Sequence, residues 1–328
     1  MLLDDVLAIP EHLGDALWRV DSARMDARPS AGLLVCGMGG SAIGGDLAAA
    51  VLSERLTGPL LTVRGYSLPS WASAEWTVLC SSYSGETEET LSCFDRAGEI
   101  GARRIAVATG GSLVDRAREG SVPVVGLPGI LQPRAAVAYM FVAAAEAAAL
   151  AGIAPRVGGE IEAAAGFLRE RTGELRERAA EVSGPLQGRL PLVCGAELTA
   201  PVARRWKTQI NENAKLPAFY SELPEADHNE ICGWVETADG GGAMVAVLLE
   251  DPQLGPRLRL RFDLTADAIA AAGTEVVRVQ AEGESRSERL LWTVMLGDLI
   301  SLELASARGV DPLSVKAIET LKSALSQP

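Results

Sequence analysis

The chain has 328 residues, 48% of them hydrophobic, and a formal net charge of −13. That length suggests about two domains, each able to bury its own core, and the hydrophobic share excludes a disordered chain. The charge argues against nucleic acid or an anionic membrane as a partner, though not against a small anion held by local backbone donors.

Residues 1–30 read as a helix with Leu2, Val6, Leu13, Leu17 and Val20 on its apolar side, and the acidic start lacks the basic stretch of a signal peptide. His12, between Glu11 and Leu13, reads as a surface or satisfied histidine. From Gly32 the pattern is strand (Leu33–Cys36), glycine turn (Gly37–Asp46) and helix (Leu47–Leu56). The glycines at 37, 39 and 40 let backbone approach a ligand at a helix N-terminus, where free N–H groups favour an anion. A dinucleotide site would need a third glycine where Ala42 stands and an acidic residue ending the next strand, but Leu60–Val63 runs into Arg64.

The strand Thr77–Cys80 leads into a second turn, rich in hydroxyls, with Ser82, Ser84 and Thr87 around Gly85. Each hydroxyl alone would serve as a helix cap; three around one glycine, after the turn at Ser41, favour a phosphate cradle. Strand 104–108, a Thr-Gly-Gly-Ser turn, a helix, strand 122–125 and an alanine-rich helix from about 135 to 151 follow, the last opened by Pro133-Arg134. Such alternation predicts a doubly wound parallel sheet with ligands at the carboxyl ends of its strands.

A charged connecting segment spans about 153–187, and then Leu192-Val-Cys-Gly195 echoes Leu34-Val-Cys-Gly37, as an internal duplication would. The glycine cradle is missing after the second copy. Further elements are a helix 200–212, strand 243–248, helix 266–272, strand 275–279 and a long helix 288–307. Between them, Gln209–Trp234 breaks the pattern: Pro217 and Pro224 bar a continuous helix, and carboxylates gather around His228, one of only two histidines. Five cysteines without CxxC spacing, with Cys36, Cys80 and Cys194 in apolar runs, read as reduced core residues of a cytoplasmic protein. No apolar run reads as approaching the ~18 residues of a membrane span.

Gly-Met-Gly-Gly-Ser41 followed by Ser82-Tyr-Ser-Gly-Glu-Thr87 resembles the sugar isomerase (SIS) domain. Asn211-Glu-Asn with His228 beyond it resembles the bifunctional phosphoglucose/phosphomannose isomerases. The resemblance covers nearly the whole chain and implies an α/β protein of two flavodoxin-like SIS domains in tandem, residues 1–152 and 153–328. It implies a cofactor-free and metal-free aldose–ketose isomerase working through an enediolate. Glu212 would be the base, His228 the ring opener, Arg134 the cation over the enediolate, and Lys322 an aid to ring opening. Gly40, Ser41, Ser82, Ser84 and Thr87 would hold the substrate phosphate. The resemblance also implies a homodimer in which His228 enters the neighbour's site, and it puts tuning of C2-epimer acceptance at Val315. Other SIS proteins act on other phosphosugars or bind them as regulators; Glu212, Arg134, His228 and Lys322 together favour the enzyme. A C-terminal helix from Leu313 to Leu325 would cluster Ile318, Leu321 and Leu325, with Lys322 at the edge of that face and Lys316 on the polar side.

Overall fold

The computed structural model describes residues 2–235 and 242–325. Two wholly parallel sheets form around central strands that are short, apolar and buried on both faces, while the edge strands are partly exposed. The first sheet holds β1 (Leu33–Cys36), β2 (Leu60–Val63), β3 (Thr77–Ser81), β4 (Arg103–Ala108) and β5 (Val124–Gly126) in the order β2-β1-β3-β4-β5. The second holds β6 (Leu190–Gly195), β7 (Phe219–Glu222), β8 (Met244–Glu250) and β9 (Glu275–Gln280) in the order β7-β6-β8-β9.

The first order is that of a flavodoxin-like sheet. The second repeats it for four strands, and β6, which carries the echoed Leu-Val-Cys-Gly, occupies the place of β1. The duplication legible in four residues is therefore a duplication of topology.

The helices in the first half are α1 (Leu2–Leu7), α2 (Ile9–Ser22), α3 (Gly39–Leu52), α4 (Glu88–Glu99), α5 (Gly111–Glu119) and α6 (Val137–Leu150), the last entered through a 3-10 turn at Pro133–Ala136. Then come α7 (Gly158–Glu170), α8 (Thr172–Leu186), α9 (Ala200–Ala214), α10 (Glu230–Val235), α11 (Pro256–Ala271), α12 (Arg286–Ala307) and α13 (Lys316–Leu325). Helices α3 and α6 pack together, as do α9 and α12, and α3 also touches α9, so the main core is continuous across the two sheets. Trp206 of α9 seats its indole over Gly297 of α12 and donates from Nε1 to the Thr293 carbonyl at 2.9 Å. That fixes the height of α9 against α12.

Several expectations need correction. The N-terminal helical segment ends at Ser22 and is broken into two pieces, because Pro10 suits the first turn of a new helix. Helix α3 starts at Gly39 rather than Leu47, so the glycine turn is itself the helix N-terminus. Helix α11 begins at Pro256; its exposed arginines Arg257 and Arg259 concealed its first ten residues in the sequence. The segment after α9 contains a true strand, β7, which adds to the edge of the second sheet. The helical stretches Pro133–Leu150 and Arg286–Ala307 do reach the length and mean hydropathy of a membrane span, but 89% and 78% of their most apolar windows is buried inside the protein. They are core helices. His12 is half-buried against Tyr139, with Nδ1 unbonded among the described residues, and burial lowers its pKa.

Candidate active site

Strand order reverses around β1 and β3, which are neighbours although their connections run to opposite sides, and both glycine turns leave the carboxyl ends of these two strands. This is where an open parallel sheet makes a crevice. The turn after β1 becomes the N-terminus of α3 at Gly39, and Ser41 lies in its first turn. The turn after β3 runs through Ser82, Ser84 and Thr87 into α4. Ser41 Oγ accepts from the Tyr83 N–H at 3.3 Å, which ties the two turns together. Ser82 and Thr87 share a hydroxyl hydrogen bond of 2.8 Å, and Ser82 Oγ also accepts from the Gly85 N–H at 3.1 Å. Gly85 has φ +76°, and a Cβ there would lie 1.9 Å from the Gly110 carbonyl oxygen, so only glycine lets this turn close. Ser84 Oγ accepts from the Glu86 N–H at 3.2 Å.

Gly40 joins this cradle to Arg134. A Cβ on Gly40 would fall 3.2 Å from both the Arg134 Cα and the Pro133 carbonyl oxygen, so the missing side chain admits the backbone of the Pro133–Ala136 turn. Arg134 is buried, and α9 aims it: its Nε donates to Asn213 Oδ1 at 2.6 Å, while Nη2 donates to the Pro312 carbonyl at 2.5 Å. Its Nη1 lies 3.8 Å from Glu212 Oε2. Glu212 sits in the last turn of α9, with its side chain 30% exposed. A buried cation, a partly exposed carboxylate and a hydroxyl-lined helix N-terminus are thus brought to one place. Burial lowers the pKa of Arg134 most, against the pull of Glu212 and Asp298.

The equivalent turn after β6 is closed internally. Thr199 Oγ1 donates to the Leu249 carbonyl at 2.8 Å and accepts from the Ala196 N–H at 3.0 Å, occupying the groups that an anion would need.

His228 and Lys322 both lie on exposed segments of the second half. His228 is exposed on the 3-10 turn Glu225–His228, and among the described residues it has no hydrogen bond or ion pair to Arg134 or Glu212. Lys322 is exposed on α13, which begins at Lys316 rather than Leu313, so Val315 precedes the helix and its carbonyl accepts from the Ile318 N–H at 2.8 Å. Ile318, Leu321 and Leu325 do share a face, but all three are exposed.

Sequence reasoning missed the support behind Arg134. Arg205 of α9 is buried with Asp298 of α12, at 3.0 Å and 2.6 Å, and donates to the Arg134 carbonyl at 3.0 Å. Asn213 Nδ2 donates to Ser301 Oγ at 2.8 Å, and that hydroxyl donates on to the Asp298 carbonyl at 2.6 Å. Burial pushes the Asp298 carboxyl up, against the opposing effect of Arg205. A signal existed: Arg205 and Asn213 stand eight residues apart on one stripe of α9, and Asp298 interrupts an apolar run.

The paired flavodoxin-like sheets, one with an open hydroxyl-lined turn and one with that turn closed, define a double SIS-domain protein. The *E. coli* tagatose-6-phosphate ketose/aldose isomerase has the same fold, with a TM-score of 0.71 at 16% identity over 95% of this chain and 94% of that one. Residues 175–325 match the family model described as the bacterial phospho-glucose isomerase C-terminal SIS domain. A bifunctional phosphoglucose/phosphomannose isomerase of *Aquifex aeolicus* is 36% identical over 92% of each chain, and one of *Caldicellulosiruptor bescii* is 34% identical over 99% of each. The chain belongs to the bifunctional phosphoglucose/phosphomannose isomerase family.

Proposed function

We propose that the chain interconverts glucose 6-phosphate and fructose 6-phosphate, and takes mannose 6-phosphate by the same route. The sugar phosphate binds at Ser41, Ser82, Ser84 and Thr87 and at the backbone of Gly40, whose missing side chain seats the Pro133–Ala136 turn beside it. After ring opening, the Glu212 carboxylate removes the proton from C2, and the electron pair passes into an enediolate whose negative oxygen faces Arg134. The same carboxyl returns its proton to C1 while the hydroxyl proton of O2 passes to O1, leaving the carbonyl at C2. Atoms and charge balance without a redox cofactor or a metal.

The observation that carries this reading is the join at Gly40: it brings Arg134 onto the cradle while Arg134 lies 3.8 Å from Glu212. The named activity of the *Aquifex* and *Caldicellulosiruptor* relatives supports the choice of substrate.

Ring opening needs an acid and a base besides Glu212, and we assign them to His228 and Lys322. His228 is exposed and, among the described residues, makes no hydrogen bond or ion pair with Arg134 or Glu212, which suits a histidine delivered to the site of a second copy. The exposed apolar face of α13 suits coverage by the same partner. The enzyme is then a cytoplasmic homodimer with shared sites, dividing into units at residues 1–152 and 153–328.

The test is fructose 6-phosphate formation from each aldose phosphate, by coupled assay with EDTA present. Turnover of both is expected. Phosphosugar binding without turnover would indicate a regulator, and turnover abolished by EDTA would refute the metal-free route.

A further inference from the structure

Helix α9 ends at Ala214, and the next residue, Lys215, has φ +53° and ψ +33°. This left-handed position ordinarily goes to glycine or asparagine, since a larger side chain crowds the backbone there by about 1 kcal/mol. Here a lysine occupies it and folds back, its Nζ donating to the carbonyl of Glu212. That carbonyl is one of the four that a helix end leaves without an intrahelical partner. Arg308, from the end of α12, donates to the neighbouring carbonyl of Ala214 at 3.0 Å. Two cations therefore close the last turn of α9, at the negative end of its dipole.

This turn bears the Glu212 carboxylate. The charged groups facing Lys215 are Arg134, from the turn that touches the cradle, Asp311, from the loop before α13, and Glu212 itself. The same loop accepts from Arg134 through the Pro312 carbonyl. Lys215 thus stands where the base, the oxyanion cation and the root of the C-terminal helix meet.

We propose that Lys215 is a positioning residue of the isomerisation site: it fixes the last turn of α9 through the Glu212 carbonyl and supplies a second positive charge beside Arg134. This rests on Glu212 being the base. Only protonated Lys215 has the charge to do both, and burial, followed by repulsion from Arg134, lowers its pKa from the ordinary 10.5. Its contribution is therefore lost at the alkaline end of the pH range earlier than for an ordinary lysine.

The experiment compares Lys215→Asn and Lys215→Arg in the full chain, with glucose 6-phosphate as substrate, reading kcat, KM, melting temperature and the pH profile of kcat. Asparagine tolerates the left-handed conformation, so it removes the charge with least damage to the backbone. We expect Lys215→Asn to lower kcat about tenfold or more with KM changed less, as misplacement of a reacting group does. Lys215→Arg should recover most of kcat and hold activity to higher pH than the unmodified chain, because a guanidinium stays charged. Unchanged kcat in Lys215→Asn, or equal losses in both variants, would overturn the proposal. If Lys215→Asn fails to fold, the alkaline limb of Lys215→Arg decides: a limb identical to that of the unmodified chain leaves Lys215 a helix cap and nothing more. Failure of the base assignment shows separately, as turnover retained by Glu212→Gln.

Discussion

Arg134 Nε donates to Asn213 Oδ1 at 2.6 Å, so the cation beside the hydroxyl-lined turns is aimed by the same helix that carries Glu212. That bond ties Arg134 to the last turn of α9. Asn213→Ala leaves the buried Nε of Arg134 without its acceptor and takes from Ser301 Oγ its Asn213 donor, although that hydroxyl still donates to the Asp298 carbonyl. The orphaned buried donor costs about 1–3 kcal/mol. The variant should melt lower and lose roughly 10² in kcat/KM through misplacement of the cation. Calorimetry and steady-state kinetics check both; full activity in a destabilised protein would make the bond purely structural.

Glu212→Gln removes the proposed base and keeps the shape. It should abolish isomerisation while phosphosugar affinity stays within about tenfold, because a base acts on the barrier more than on the bound ground state. Retention of more than about a tenth of wild-type turnover would exclude Glu212 as the base.

The two turns after β1 and β3 were legible because their signal is local: glycines and hydroxyls follow short apolar strands, at Gly40 and Ser41 and at Ser82, Ser84 and Thr87, although the start of α3 at Gly39 was not read. The duplication was legible for the same reason, through Leu192–Gly195. Arg205, Asp298 and Ser301 were not, since their meaning depends on α9 and α12 meeting at Trp206 and Gly297, far apart in sequence. Strand β7 was hidden because Pro217 and Pro224 bracket only four strand residues at a sheet edge, where proline is tolerated. The phase of α13 was readable but its surroundings were not: amphipathicity says which residues share a face, not what covers it.

If two subunits share the proposed site, two inactive chains become mutually useful. Glu212→Gln and His228→Ala subunits, each inactive alone, should regain activity when mixed, because one heterodimer site then has an intact base and an intact histidine. Activity of the mixture, measured after subunit exchange is verified by mass spectrometry, checks this. An active monomer, or no recovery after exchange, rules out the shared site.

Glu146 lies buried in α6, with Arg156 Nε 3.7 Å from its Oε2, and burial raises its pKa above 4.5. The folded chain therefore holds this proton more tightly than the unfolded one. Stability tied to this group is greatest below about pH 4.5 and falls as pH rises through the raised value. Glu146→Gln removes the loss, so it should melt with the wild type in acid and about 2 °C higher near neutrality. Scanning calorimetry at both pH values tests the sign; a lower melting point at neutrality would mean that the Arg156 contact outweighs burial.

Two lysines on α13 offer a choice that the helix geometry decides. Lys316 lies in the first turn, beside Glu319, Thr320 and Ser323 on the polar side. Lys322 lies in the last turn and borders the face of Ile318, Leu321 and Leu325, which is exposed in the single chain. If a second subunit covers that face, burial reaches Lys322 before Lys316, and a lysine at such an edge can lay its stem on apolar surface while its ammonium reaches a polar site. Lys322→Ala should then lower kcat/KM for glucose 6-phosphate by roughly 10², a usual loss for a group in acid–base catalysis. Lys316→Ala should be nearly silent, because a surface lysine on the polar side of a helix contributes little. Lys322→Arg separates charge from proton transfer: a guanidinium keeps the charge but does not give up its proton. Recovery by arginine would make Lys322 an electrostatic group, and no recovery would make it a proton donor in ring opening. Equal losses at the two lysines, or the larger one at Lys316, would show that the opposite face of α13 meets the substrate.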